Sequence, residues 1–204
     1  REGPQSFYSG HLGETIAKDL DANGAFVTRE DLVGYRTRPG APVTTTHRGY
    51  TISTNPPPGG GPWLLEALNI LEGFPLADME HNGPDHLHAL AFAMKLAHAD
   101  RDSYLGDPDF VDVPLETVFL SKDHAEALRQ SIVARQPSRA VVAASPPSET
   151  THLSIADAEG NVVTVTQTLG GGFGSAVVAG DTGVFMNNMC KWFSLDEGSP
   201  NLIG

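Results

Sequence analysis

The chain has 204 residues, 40% hydrophobic and 19% charged, within the range of one globular domain. Its net charge of −12 argues against a nucleic-acid partner, which wants a basic face, and against an anionic membrane surface. One cysteine, Cys190, excludes an internal disulfide and a multi-cysteine zinc site and leaves the compartment open, and no run of 18 apolar residues offers a transmembrane helix.

In chain order, residues 9–24 predict a helix: Leu12, Ile16 and Leu20 recur every four residues and Asn23-Gly24 is a stop signal. Thr28, three residues before Asp31, is placed to cap a short helix running toward Tyr35. Residues 43–54 carry β-branched side chains and read as two strands joined around Arg48-Gly49. The Pro/Gly run Asn55–Pro62 is neither helix nor central strand, and Trp63 opens an apolar-faced helix directly after it.

The stretch His81–His88 is rich in histidine, yet its spacing fits no strong zinc pattern, so it is read as a helix start and no metal is expected there. The following helix, Pro84–Asp102, carries Leu87, Leu90, Ala91, Met94 and Ala97-His98 as its expected core face. Asp100 and Arg101 are expected to pair near its end. Asp107-Pro108-Asp109 reads as a turn, 121–134 as a further helix, and 139–148, small, polar and Pro-rich, as a mobile surface segment suited to a processing site.

The most informative stretch follows. Two runs with β-formers at alternate positions flank Asp157-Ala158-Glu159-Gly160, which predicts a hairpin with a three-residue loop and a left-handed Gly160. That register pairs Asp157 with Asn161 and, seven steps out, Thr150 with Thr168. Opposed residues have Cβ atoms about 4.5–5.5 Å apart, close enough for two hydroxyls to interact. From pattern alone, an ordinary Thr-rich surface hairpin is the favoured reading.

Thr150-Thr151-His152-Leu153-Ser154, the hairpin to Thr168, Phe173-Gly174, Gly183 and Asn187-Asn188 resemble the start of the small subunit of γ-glutamyltransferases. Phe7-Tyr8-Ser9-Gly10, Asn23-Gly24, Glu30-Asp31-Leu32, Arg48-Gly49-Tyr50, Pro56-Pro57-Pro58, Ala99-Asp100-Arg101 and Tyr104 to Pro108 resemble the later part of that family's large subunit. The resemblance implies an α+β fold, part of the αββα sandwich of N-terminal nucleophile hydrolases. Residues 1–149 would end a large-subunit-like region and 150–204 begin a small-subunit-like one, in one continuous fold. It further implies an internal segment of a longer protein that matures into a large/small subunit heterodimer. No cofactor and no metal are implied.

The chemistry implied is that of an N-terminal threonine. A threonine hydroxyl needs a nearby base. Cutting the Glu149–Thr150 bond gives Thr150 a free α-amine with a reference pKa near ~8, suited to accept that hydroxyl proton. Before cleavage the same hydroxyl can attack the Glu149 carbonyl, and Thr168 can hold it in position. The implied substrates are γ-glutamyl amides such as glutathione, with transfer to water or an amino acid.

Four positions depart from the family pattern. The asparagine after the Thr168 position is Gly170, the Glu or Gln after Asn187-Asn188 is Met189, and an acidic pair falls on Lys191 and Trp192. The family uses these positions to hold the α-ammonium of the glutamyl donor, and losing a charged hydrogen bond costs about 1.5–3 kcal/mol. An acylase of the same fold with a non-glutamyl donor such as a glutaryl amide is therefore the alternative reading, and a catalytically incomplete segment a third. The arginine for the donor carboxylate would lie upstream of Arg1, and the Ser pair and Gly-Gly oxyanion hole beyond Gly204.

Overall fold

The structure is a computed structural model that describes residues 3–135 and 149–203. The segment 139–148, expected to be mobile, lies outside the described residues. In chain order the elements are α1 (Gln5–Tyr8), α2 (His11–Ala22), α3 (Arg29–Gly34), β1 (Val43–His47), β2 (Tyr50–Thr54), α4 (Gly61–Glu72), α5 (Pro84–Tyr104), a π-turn (Leu115–Phe119), α6 (Lys122–Val133), β3 (Thr150–Ala156), β4 (Val162–Thr168) and a 3-10 turn (Met189–Trp192). They fall into two compact units, one of residues 1–38 and 145–192, the other of residues 39–144 and 193–204.

In the first unit, the four-residue spacing of Ile16 and Leu20 turns both onto one face of α2, where they are buried with Ala179. Phe7, Leu32, Val184 and Met186 pack around them. Gly13 is required here: a Cβ would lie 2.6 Å from the Phe7 carbonyl oxygen, so only glycine lets the end of α1 cross α2 this closely. Thr28 closes a capping box as expected. The Asp31 N–H donates to Thr28 Oγ1 at 3.2 Å, and the Thr28 N–H donates to Asp31 Oδ2 at 2.8 Å, which lowers the Asp31 pKa. A cap of this kind contributes about 1 kcal/mol. Arg29 donates to the carbonyls of Tyr8 and Ser9, tying α3 back to α1.

β3 and β4 form a two-stranded antiparallel sheet in the expected register, from Ala156↔Val162 out to Thr150↔Thr168. The turn is locked by the Asp157 N–H donating to the Asn161 carbonyl at 3.0 Å and the Asn161 N–H donating to Asp157 Oδ1 at 2.8 Å. Gly160 has φ +86°, the left-handed geometry the three-residue loop needs.

In the second unit, β1 and β2 pair around Arg48-Gly49, both at positive φ. α4 opens at Gly61 rather than Trp63, which corrects the reading of Asn55–Pro62 as wholly non-helical: Pro62 lies in the first turn, where its missing N–H costs nothing. The core is made by α4, α5 and α6 from Ala67, Ile70, Leu71, Ala89, Ala93, Ala97, Ala125 and Ile132. This corrects the expected face of α5. Its buried stripe is Ala89, Ala93 and Ala97, while Leu87 and Met94 are half exposed. Alanines at four-residue spacing let neighbouring helices approach closely, so the bulkier Leu90, Phe92 and Leu96 pack at the margins rather than beneath.

The expected Asp100–Arg101 pair is also corrected. Arg101 donates to Asp102 Oδ1 at 3.2 Å, and Asp100 pairs instead with His124 of α6 at 2.7 Å. His81–His88 does start a helix, with Gly83 at its N-cap and Pro84 in its first turn, and His88 Nε2 lies 3.3 Å from the Ile132 carbonyl. Ser121 caps α6 by accepting from the His124 N–H. Lys122 then reaches three acceptors, the Thr46 carbonyl at 2.6 Å, Asn69 Oδ1 at 2.7 Å and Glu72 Oε2 at 2.6 Å, binding α6 to β1 and α4.

Candidate active site

The register of β3 and β4 sets two threonine hydroxyls side by side. Thr150 Oγ1 donates to Thr168 Oγ1 at 3.2 Å. Thr168 Oγ1 also accepts from the Gly170 N–H at 2.9 Å and donates to the Glu149 carbonyl oxygen at 2.9 Å. A hydroxyl has one proton to give and two lone pairs, so Thr168 is fully committed. Its proton points at the carbonyl joining Glu149 to Thr150, and one lone pair faces the hydroxyl that would attack that carbonyl.

The chain leaves β4 through a glycine loop that Asn188 braces. The Gly171 N–H donates to Asn188 Oδ1 at 2.9 Å, and the Asn188 N–H donates to the Leu169 carbonyl at 2.9 Å. Gly170 is buried, has φ +96°, and a Cβ on it would lie 2.2 Å from Asn188 Oδ1. The loop is therefore built around this glycine, and an asparagine there would displace Asn188. Asn188 was visible in the sequence only within a motif, without a role; its place at the loop comes from the fold.

Charged side chains lie over the same loop. A Cβ on Gly172 would fall 2.4 Å from Glu149 Oε2, and one on Gly171 would fall 3.6 Å from Lys191 Nζ. The structure thus brings Glu149, Thr150, Thr168, Gly170 and Lys191 to one glycine loop. Met189 and Trp192 sit on the 3-10 turn with Lys191, Met189 half-buried and Trp192 exposed, and the Met189 N–H donates to Asn187 Oδ1 at 2.9 Å.

A second cluster went unnoticed in the sequence. Glu66 of α4, Asp100 of α5 and His124 of α6 bring their ligand atoms within 4.8 Å of one another. Burial first, then hydrogen bonding and repulsion from Asp100, push the Glu66 pKa up to about 10. Glu66 sits inside the apolar run Leu64 to Leu68 of α4, and that interruption was the one available signal.

Comparison with known proteins shows the family. The family model described as gamma-glutamyltranspeptidase matches residues 1–204. The chain is 38% identical to the glutathione hydrolase proenzyme of Escherichia coli (strain K12), over 99% of this chain and 36% of that protein. It is also 38% identical to the Acylase ACY 1 proenzyme of Pseudomonas sp. (strain V22), over 97% of this chain and 36% of that protein. Among solved structures, cephalosporin acylase from Bacillus halodurans superposes with a TM-score of 0.82 at 35% identity, covering 98% of this chain and 36% of that one. The Helicobacter pylori gamma-glutamyltranspeptidase gives a TM-score of 0.61 at 36% identity over 68% of this chain and 39% of that one. The α+β fold is that of the N-terminal nucleophile hydrolases, as the resemblance implied. The chain spans a little over a third of the length of these relatives. With the family pattern matched along all 204 residues, the chain belongs to the γ-glutamyltranspeptidase family.

Proposed function

We propose that this chain supplies the nucleophile and the self-processing site of an amidohydrolase or transferase acting on γ-glutamyl amides such as glutathione. The observation that carries this reading is the hydrogen-bond chain from Thr150 through Thr168 to the Glu149 carbonyl. In the precursor, Thr150 Oγ attacks the Glu149 carbonyl carbon. The Thr168 hydroxyl, already donating to that carbonyl oxygen, stabilises the negative charge it gains. The C–N bond breaks, the Thr150 nitrogen takes up a proton and becomes an amine, and Glu149 is left as an ester on Oγ. Water hydrolyses the ester, giving a Glu149 carboxylate and a free Thr150 hydroxyl. Residues 1–149 and 150–204 then belong to two subunits that remain one fold.

In the mature form the Thr150 amine accepts the hydroxyl proton as Oγ attacks the substrate amide. The leaving amine departs with that proton, and the acyl group passes from Oγ to water or an amino acid. The test is acid quench of the mature full-length protein during turnover of γ-glutamyl-p-nitroanilide, followed by mass spectrometry. An acyl adduct on the peptide that begins at Thr150 is expected. An adduct elsewhere, or turnover with none trapped in the presence of a burst, defeats the assignment.

A second reading is favoured by Lys191. Its ammonium lies over Gly171, and the turn it shares with Met189 and Trp192 carries no carboxylate for a donor's α-ammonium, which suits an acyl group ending in a carboxylate. Relatives named acylases lie at the same level of identity as those named glutathione hydrolases. On this reading the donor is a glutaryl-type amide and the threonine chemistry is unchanged.

A further inference from the structure

Glu66, Asp100 and His124 lie in the helical unit and have no part in the threonine chemistry. The Glu66 side chain is completely buried, and as a carboxylate neither of its oxygens has a hydrogen-bond donor among the described residues; only a protonated carboxyl could bond to Asp100. Asp100, itself a carboxylate, is its neighbour, and His124 Nε2 is 3.5 Å from Glu66 Oε1, too far for a good hydrogen bond. Unpaired buried carboxyls are costly, so such a group either keeps a proton or has a cation beside it. A proton held between Glu66 and Asp100 is one answer, in keeping with the raised Glu66 pKa.

The geometry offers more than a place for a proton. Three side chains from three helices turn their ligand atoms to one point. His124 Nε2 lies 2.7 Å from Asp100 Oδ2, a hydrogen bond whose proton a bound ion would replace, and all three ligand atoms are within 4.8 Å of one another. An ion with bonds of about 2.0–2.6 Å bridges donors up to roughly 4–5 Å apart. Asp100 and His124 remain partly exposed, at 18% and 30%, so an aquated ion can reach the point from solvent while Glu66 closes the far side. Two carboxylates and one neutral imidazole match a divalent charge, and an imidazole in the set favours zinc or manganese over calcium or magnesium.

We propose that Glu66, Asp100 and His124 form a divalent metal site of the zinc or manganese class that clamps α4, α5 and α6 together. His124 contributes the Nε2 lone pair with its ring proton on Nδ1, and Ser121 fixes the start of α6 by capping the His124 N–H at 3.1 Å. Water completes the shell on the solvent side. The ion's role is structural, because its ligands come one each from the three helices that make the core. The histidine-rich stretch His81–His88, where no metal is expected, contributes nothing to this site.

The test uses the full-length protein, stripped with chelator, loaded separately with Mn2+ or Zn2+, and desalted. Metal content is measured beside thermal unfolding, and Mn2+ samples are examined by electron spin echo spectroscopy for a directly bound imidazole nitrogen. About one ion per chain, a raised unfolding midpoint and the nitrogen signature are expected. Glu66→Gln preserves size and can still donate to Asp100, and His124→Gln changes a partly exposed position; the unfolding curve of each variant shows that it is folded before ion retention is compared. Each should weaken ion retention at least tenfold, and His124→Gln should erase the nitrogen signal. The proposal is overturned if the wild type retains no ion, which leaves a shared proton as the whole account. It is equally overturned if both variants retain the ion as the wild type does, which places the ion elsewhere, for example on His81 and His86.

Discussion

The hydroxyls of Thr150 and Thr168 lie 3.2 Å apart because a three-residue turn at the far end of the hairpin fixes which residues face each other. The site's alignment is thus decided by Gly160 and Asp157, at the opposite end of the strands. A one-residue slip would turn Thr168 to the other face and break the chain to Glu149.

Thr168 is committed to three hydrogen bonds, one of them from the N–H of buried Gly170, so removing its hydroxyl should be felt in chemistry and should also cost about 1–3 kcal/mol of stability. Thr168→Val keeps volume and strand preference. We expect turnover of the mature protein to fall about 10²-fold or more, and self-processing to slow, while the variant stays folded with a modestly lowered unfolding midpoint. Thr168→Ser should recover most of the rate. Steady-state kinetics beside a melting curve decides this, and an unchanged kcat in Thr168→Val would remove Thr168 from the mechanism.

Gly170 makes a prediction of the opposite kind. At φ +96°, with Asn188 Oδ1 where a Cβ would go, Gly170→Ala forces the loop to move. The strain should cost on the order of 1–2 kcal/mol. Because the Gly171–Asn188 bond goes with it, activity should drop even where the fold survives. Gly183, also at positive φ but with open space around it, provides a control for backbone strain alone. Equal losses at both positions would show that the Asn188 brace has no separate role.

Specificity separates the two functional readings. With Lys191 over the glycine loop and no acidic pair at 191 and 192, the mature protein should hydrolyse glutaryl-p-nitroanilide with kcat/KM at least equal to that for γ-glutamyl-p-nitroanilide. Changing Lys191→Asp and Trp192→Asp together should shift the ratio toward the glutamyl substrate, since the new carboxylates can pair with its ammonium. A wild-type preference for γ-glutamyl of about a hundredfold, roughly 2.7 kcal/mol, would rule out the acylase reading.

Acid should loosen the helical unit at a defined place. Hydrogen bonds from Lys122 first, and then from the Arg48 N–H, lower the Glu72 pKa below its ordinary value. A carboxyl whose folded pKa is depressed contributes stability above its unfolded pKa and loses it as pH falls through the folded value. Between neutral pH and the region below about 4, the wild type should therefore lose stability that Glu72→Gln has already lost. Because both side chains are partly exposed, the difference should be about 1 kcal/mol or less. Parallel denaturant titrations at neutral and acid pH measure it, and identical pH slopes for wild type and variant would dismiss the Glu72–Lys122 contact as a stabilising one.

The hairpin was legible in the sequence because alternation and a glycine turn constrain register to a single choice, and the cap at Thr28 because its signal is local. The buried face of α5 was not. Its leucines and alanines are all apolar, and periodicity cannot say whether close approach along Ala89, Ala93 and Ala97 outweighs burial of Leu87 and Met94. Asp100 was given a sequence neighbour as partner, whereas its actual partner, His124, arrives from another helix. For the same reason the cluster with Glu66 was hidden: its members lie 34 and 24 residues apart (100 − 66 and 124 − 100). At the site itself the sequence showed that Gly170 and Lys191 depart from the family pattern, but only the fold shows Asn188 filling the space that a side chain at 170 would need.

The most direct measurement is the N-terminal sequence and intact mass of the purified full-length protein, expressed without added protease. The account predicts two chains, the second beginning at Thr150, and a single uncut chain for Thr150→Ala. Wild-type protein that stays intact on prolonged incubation, or that is cut at a bond other than Glu149–Thr150, would contradict it.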